Sequence, residues 1–382
     1  MNTPHDDVAY DVHNIHETDL SVAAHKARDI AAAHAEAADT ERELRPEVLR
    51  ALVTAGFPRH FVPRRWGGGG GGFLEITDAI MTVAEGCASA GWCASILAYG
   101  SRVAAFLPEE GQRDLWSGGP DTVIASSMLP VGRPEAVTGG WRLSGRWPYT
   151  SAAGHAEWAL VAGPAGPPEP DGTPRNLFFA LPREAFTVET TWDTLGMRGT
   201  GSHTLVADDV FVPDHRTFPM SDVSTKSVDG RPVVPLRSIA GMTFAPPVLG
   251  AAQGAMEIAG RQLLGEDDTV TPDRLGLVRA AGDVELARLL VERVARDADG
   301  TAAVPRPDWP SWSPWDCARA AELATEAVDR LMAAAGTRGF SQSHPFQRAW
   351  RDVHTAASHV RLRPEPAAAA WLSGMRAACG GL

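Results

Sequence analysis

The chain has 382 residues, 44% hydrophobic and 21% charged, long enough for a large core spread over two or three structural units. Acidic residues outnumber basic ones by 47 to 35, a net charge of −12, and no basic cluster tracks phosphates, so nucleic acid is not an expected partner. No apolar run is long enough to span a bilayer, and the acidic, histidine-containing start (HDDVAYDVHNIHETD) is the reverse of a signal or transit peptide. The expectation is no membrane attachment and a cytoplasmic location.

From Asp19 to about Trp116 the residues read as helices, first Ala-rich with apolar positions at a 3.6-residue period, then long and buried (FLEITDAIMTVAEGCASAGWCASILAYGSRVAAFL). Within this region lie six consecutive glycines, Gly67–Gly72. They match any glycine-rich pattern trivially. A phosphate loop needs a strand before it and a helix N-terminus after it, and no convincing strand precedes this one. It reads as a flexible surface loop, and the chain shows no nicotinamide site of its own. From Asp121 to about Pro219 the pattern changes to short β-runs: TVIASSML, AVTGGWRLSGRW, AEWALVAG, RNLFFALP, FTVETTW and HTLVADDVFVP. A linker over 219–237 leads to further helices. Residues 299–314 contain four prolines and read as a loop. The order is helices, β unit, helices, without βα alternation. Cys87, Cys93, Cys317 and Cys379 form no CxxC pair, so neither a disulfide nor a metal site is expected.

The segment SHPFQRAWRDVHTAASHV, 343–360, predicts a helix from Pro345 to Val360 with Pro345 in its first turn. Phe346, Ala349, Val353, Ala356, Ala357 and Val360 form its apolar side. Arg348, Asp352, Thr355 and His359 recur at four- and three-residue spacings as a polar stripe. A histidine on one stripe with an aspartate and an arginine is either an acid/base site or an ordinary ion-paired surface, and the residues alone leave both open. His354 lies about 140° around the helix from His359 and reads as structural or subunit-contacting.

The run WPYTS at 147–151, then AEWALVAG, TWDTLGMRGTGSHTLVADDVFVP and QRAWRDVHTAASH, resembles the flavin-dependent monooxygenases built on the acyl-CoA dehydrogenase fold. These are oxygenase components of two-component systems, such as p-hydroxyphenylacetate hydroxylase and dibenzothiophene monooxygenase. The resemblance runs from about Ser21 to the C-terminus. It implies an α+β, acyl-CoA dehydrogenase-like fold: an N-terminal helical domain (1–118), a central β-barrel domain (119–220) and a C-terminal helical bundle (221–382) that mediates homotetramer formation. It implies reduced flavin (FADH2 or FMNH2) supplied by a separate NAD(P)H flavin reductase, and O2 as co-substrate. A peroxide at flavin C4a then transfers one oxygen atom to a small hydrophobic, aromatic or heteroatom-containing molecule.

By the same resemblance, Thr150 and Ser151 match hydroxyls that hold flavin N5, and Trp147 belongs to the aromatic strand before them. Ser127 matches a flavin- or substrate-facing serine, although Ser126 is equally placed to be the inward one. His359 matches a histidine over C4a that manages the peroxide proton. Asp352 is its support, or a partner of Arg348 or Arg351. Trp92 matches an aromatic near the flavin ring, with core packing as the alternative. Arg274 matches a contact to the flavin phosphate of a neighbouring subunit. Arg198 is expected to fix a turn of the β domain. The phenol hydroxylases of this group carry a substrate-facing histidine where this chain has Tyr99, Gly100 and Ser101, which puts a phenolate held by imidazole in doubt. Two other classes stay open on this fold: a dehydrogenase or oxidase, which needs a carboxylate base, and a non-catalytic oligomeric flavin binder. No glutamate occurs between Phe340 and Glu365 to supply such a base.

Overall fold

The computed structural model describes residues 14–168, 172, 174–264, 267 and 269–379; most of the acidic N-terminal stretch and the side chain of Cys379 lie outside them. Among these residues six helices come first: α1 (Asn14–Ala33), α2 (Ala35–Glu41), α3 (Pro46–Ala55), α4 (Phe73–Gly86), α5 (Ala88–Ala104) and α6 (Glu109–Trp116). α5 is buried almost all round, because its N-terminal half is built of small residues that let neighbours approach. A Cβ on Gly91 would stand 2.4 Å from that of Ala84 in α4.

The glycine run forms the loop between α3 and α4 and packs over residues 59–63. Its backbone N–H groups are spent on local carbonyls: Gly69 on Arg59 at 3.0 Å, Gly70 on Val62 at 3.2 Å and Gly71 on His60 at 2.7 Å. They are therefore not free to cradle a phosphate. Gly68 and Gly71 are required by space, since a Cβ would meet the Val62 carbonyl oxygen at 2.1 Å and the His60 ring at 2.0 Å respectively.

Eight strands follow among the described residues: β1 (Ile124–Pro130), β2 (Arg133–Val137), β3 (Gly140–Thr150), β4 (Trp158–Pro164), β5 (Asn176–Pro182), β6 (Thr187–Glu189), β7 (His203–Pro213) and β8 (Thr217–Pro219). They form two four-stranded sheets, ordered β1-β4-β5-β8 and β2-β3-β7-β6, with β1 and β4 parallel and every other pairing antiparallel. Leu143, Trp147, Val161, Phe179, Leu181 and Leu205 fill the core of this domain.

The remaining elements are α7 (Asp222–Thr225), α8 (Leu236–Ile239), α9 (Ala245–Leu263), α10 (Pro272–Asp299), α11 (Trp309–Gly339), α12 (Pro345–Ala357) and α13 (Pro364–Cys379). Among the described residues, no helix is long and apolar enough to cross a membrane. Two boundaries differ from the sequence expectation. The proline-rich segment is a loop only to Asp308, because Pro310 enters the first turn of α11, where its missing N–H costs no hydrogen bond, and the helix continues through Pro314. α12 ends at Ala357, three residues short of Val360. Ser358 returns its hydroxyl proton to the Thr355 carbonyl, and His359 leaves the helix with extended backbone (φ −59°, ψ 136°) to cap a 3-10 turn over Val360–Leu362. The predicted stripe of Arg348, Asp352, Thr355 and His359 is therefore broken before its last member.

Candidate active site

The three domains meet around Trp92. From α5 its indole faces two rings of the C-terminal domain, with centroids 5.0 Å from Phe244 and 5.8 Å from His359. Phe244 and His359 stack on each other at 3.7 Å and 30°. Phe244 sits at the N-terminus of α9, and the segment before it is pinned to α5 by Ser95, whose hydroxyl donates to the Thr243 carbonyl at 2.6 Å.

The β domain contributes hydroxyls. Trp92 Nε1 donates to Ser151 Oγ at 3.0 Å, Ser151 and Ser202 oxygens are 2.7 Å apart, and Ser202 and Thr200 oxygens are also 2.7 Å apart. Thr200 donates its hydroxyl proton to the Met197 carbonyl at 2.9 Å. Since each hydroxyl has one proton, that last bond sets the direction of the chain. Ser202 donates to Thr200, Ser151 donates to Ser202, and Ser151 accepts from Trp92. Ser151 Oγ is left with one free lone pair and no proton to give.

The backbone around this chain is strained. Tyr149, Ala152 and Met197 have φ of 60°, 57° and 54°, the left-handed region that non-glycine residues rarely adopt. The Ala152 N–H donates to the Thr200 carbonyl at 2.9 Å, which joins the end of β3 to the turn before β7. That turn is held from two other domains. Asp352 accepts the Met197 N–H at 2.5 Å, and Arg198 donates from Nε to the Asp39 carbonyl at 2.8 Å.

Burial pushes the His359 imidazole down to about 4, so it is neutral at pH 7. Its Nδ1 accepts the Arg361 backbone N–H at 3.3 Å, which leaves the proton on Nε2 as a donor. Asp352 is buried away from that ring. Loss of solvation raises its carboxyl to about 6, opposed by the Met197 N–H. It supports the 197–202 turn, and the structure gives no contact between it and His359.

The other expected residues fall elsewhere. Thr150 is fully buried and spends its hydroxyl proton on the Trp147 carbonyl at 2.9 Å. Trp147 lies inside the β domain with its indole N–H on the Ala162 carbonyl at 2.8 Å. In β1, Ser127 pairs with Val161 and shares the inter-sheet side of Ala125, whereas Ser126 pairs with Leu160 and shares the helix-facing side of Ile124. Arg274, at the start of α10, binds its own loop through the carbonyls of Leu263, Asp267 and Thr269. His354 pairs with Asp329 at 2.8 Å, and Arg351 pairs with Asp39 at the same distance. Sequence reasoning missed Phe244, Ser202 and Thr200. The last two stand in the quoted GTGSHT run; Phe244 is a lone aromatic before a Pro-Pro helix start and carries no pattern.

Residues 18–115 match the family description "Acyl-CoA dehydrogenase, N-terminal domain", and residues 242–364 match "Acyl-CoA dehydrogenase, C-terminal domain". The chain is 31% identical to the flavin-dependent monooxygenase oxygenase subunit HsaA of Rhodococcus jostii, over 85% of this chain and 90% of that one. It is 32% identical to the oxygenase component of the FADH2-dependent resorcinol hydroxylase of a Rhizobium species, over 82% of this chain and 83% of its relative. Among solved structures, the 3-HSA hydroxylase of Rhodococcus sp. RHA1 superposes with a TM-score of 0.87 at 28% identity, covering 94% of this chain and 97% of the other. XiaF from a Streptomyces species, solved with FADH2 and glycerol, superposes at 0.84 with 26% identity, covering 94% and 96%. The chain belongs to the oxygenase components of the flavin-dependent monooxygenases that share the acyl-CoA dehydrogenase fold.

Proposed function

We propose that this protein takes reduced FAD or FMN from a separate NAD(P)H-dependent reductase and, with O2, transfers one oxygen atom to a small aromatic or heteroatom-containing molecule in catabolic or specialised metabolism. The observation that carries this reading is the hydroxyl chain that leaves Ser151 Oγ as an acceptor without a proton, beside Trp92 and the neutral His359. A reduced flavin presents an N5–H donor, which an acceptor of this kind suits; an oxidised flavin presents N5 as an acceptor, which it does not. Bound there, reduced flavin supplies the electrons that activate O2. Ser151 holds the N5 proton in place. The rings of Trp92 and Phe244 would keep water from the site, and His359 would offer a hydrogen bond from its neutral Nε2–H to an oxygen held there.

A dehydrogenase or oxidase on this fold would need a carboxylate base. The one carboxylate of α12, Asp352, is committed to the Met197 N–H. Arg274 is proposed to reach the flavin phosphate of a neighbouring subunit. Homotetramer formation is supported by the exposed apolar side of α10, where Leu275, Val278, Leu286 and Leu289 face out. The test is stopped-flow mixing of the anaerobic protein–reduced flavin complex with oxygenated buffer, run with FAD and with FMN. The expected result is a resolved absorbance phase between reduced and oxidised flavin. Single-step reoxidation with release of hydrogen peroxide, with aromatic substrates present, overturns the reading in favour of an oxidase or a flavin binder.

A further inference from the structure

The helix that carries Trp92 continues to two buried polar groups that no described residue satisfies. Trp92, Ser95, Tyr99 and Arg102 follow one another at spacings of three, four and three residues, so they share one face of α5. This face runs about 15 Å along the helix axis against the segment 234–244. At one end Trp92 and Ser95 meet Phe244 and Thr243; at the other, Arg102 Nη2 lies 3.4 Å from the Val234 carbonyl oxygen.

At that far end, Tyr99 Oη and Arg102 Nη1 are shut off from solvent and have no hydrogen-bond partner among the described residues. Arg102 has no carboxylate partner there either; its guanidinium lies 5.4 Å from the Phe73 ring centroid. The surroundings are aromatic: the Tyr99 ring is 5.4 Å from Phe61 and 6.4 Å from Phe73, and these two are 5.3 Å from each other. An unpaired buried guanidinium is costly, and a phenol hydroxyl beside it without a partner adds to that cost. Burial accordingly lowers Arg102 to about 10. An oxyanion would satisfy both groups at once, with a charge-assisted bond to the guanidinium and a second bond from the tyrosine.

We infer that Arg102 and Tyr99 form a subsite for an acidic group on the substrate, a carboxylate attached to an aromatic ring, at the end of the α5 seam remote from Trp92 and His359. This rests on the oxygenase reading and narrows its substrate class to aromatic acids. The aromatic surroundings made by Phe61, Phe73 and Tyr99, packed on one another, suit an aryl carboxylate better than a phosphate, which also has oxyanion chemistry and is present on the flavin itself.

The experiment measures binding by calorimetry and thermal shift on the full-length protein without turnover. Benzoate, phenylacetate, their neutral amides and inorganic phosphate serve as probes. In wild type, a carboxylate is expected to bind about tenfold more tightly than its amide. Arg102→Met should abolish the preference, Arg102→Lys should retain part of it, and Tyr99→Phe should weaken it several-fold. Without probe, Arg102→Met should melt no lower than wild type, since it removes an unpaired charge; a merely structural arginine would give a lower melting temperature. Equal binding of acid and amide, no binding of either, or a preference that survives Arg102→Met overturns the proposal. Binding of phosphate without a carboxylate preference overturns the substrate assignment and returns the site to the cofactor. If the absorbance phase with oxygen appears but the carboxylate preference does not, only this inference fails; the reverse outcome rejects the oxygenase reading.

Discussion

Asp352 Oδ1 accepts the backbone N–H of Met197 at 2.5 Å, joining α12 to the turn before β7 across 155 residues of chain. The contact holds Met197 at a φ of 54°, and through Thr200 and Ser202 it sets the position of Ser151. Burial is the main reason the Asp352 carboxyl sits at about 6. An unfolded chain releases this proton near 4, so between about pH 4 and 6 the folded state holds more protons and stability falls as pH rises. The full cost above pH 6 is about 3 kcal/mol. Asp352→Asn keeps an acceptor without the charge, so it should be more stable than wild type at pH 7 and equal to it near pH 4. Asp352→Ala should be about 1–3 kcal/mol less stable than Asp352→Asn, because it orphans the Met197 N–H. Urea denaturation of the three proteins across pH 4–7 measures both differences.

His359 should remain uncharged down to about pH 4, with its proton on Nε2. Nitrogen-detected NMR of the imidazole checks the tautomer and the titration together. An unfolded histidine protonates near 6.5, so this group removes stability as pH falls from 6.5 towards 4. His359→Ala should slow product formation by about 100-fold while oxygen consumption continues as hydrogen peroxide. Equal loss of both activities would argue for a structural role.

The two adjacent hydroxyls should separate cleanly. Ser151→Ala removes the acceptor that serves Trp92 and is expected to shorten the lifetime of the oxygen-derived absorbance phase at least about tenfold, roughly 1.4 kcal/mol. Thr150→Val loses a buried bond to the Trp147 carbonyl and should cost about 1 kcal/mol of stability with the phase intact. Parallel stopped-flow and denaturation of the pair decide the assignment.

The glycine run offers a packing test. Gly71→Ala would drive a Cβ to 2.0 Å from the His60 ring, whereas Gly118→Ala meets nothing within 4 Å. The first should lose about 1–3 kcal/mol and the second should be near neutral in thermal melts.

Much of the organisation follows from local pattern. The period-3.6 helices, the β-runs between Asp121 and Pro219, and Pro345 as a helix start are consequences of side-chain spacing and backbone chemistry that act over a few residues. Trp92, Ser151 and His359 were likewise picked out of quoted motifs, as members of a resemblance. Their meeting was implied only by that resemblance and is not legible in spacing, because it depends on contacts between α5, the end of β3 and the turn after α12. The hydroxyl contacts from Ser151 to Ser202 and from Trp92 to Ser151, and the long-range bond from the Met197 N–H to Asp352, leave no periodic trace.

The spacing of Arg348, Asp352, Thr355 and His359 described a helix that the backbone abandons at Ser358, and only after that exit can His359 stack on Phe244. The acidic composition, the three-part order and the identities of the reactive side chains belong to the sequence alone. Which hydroxyl faces the junction, which carboxylate is already spent and which buried arginine has no carboxylate partner among the described residues were decided by tertiary packing, because a buried polar group is defined by what surrounds it and not by its neighbours in the chain.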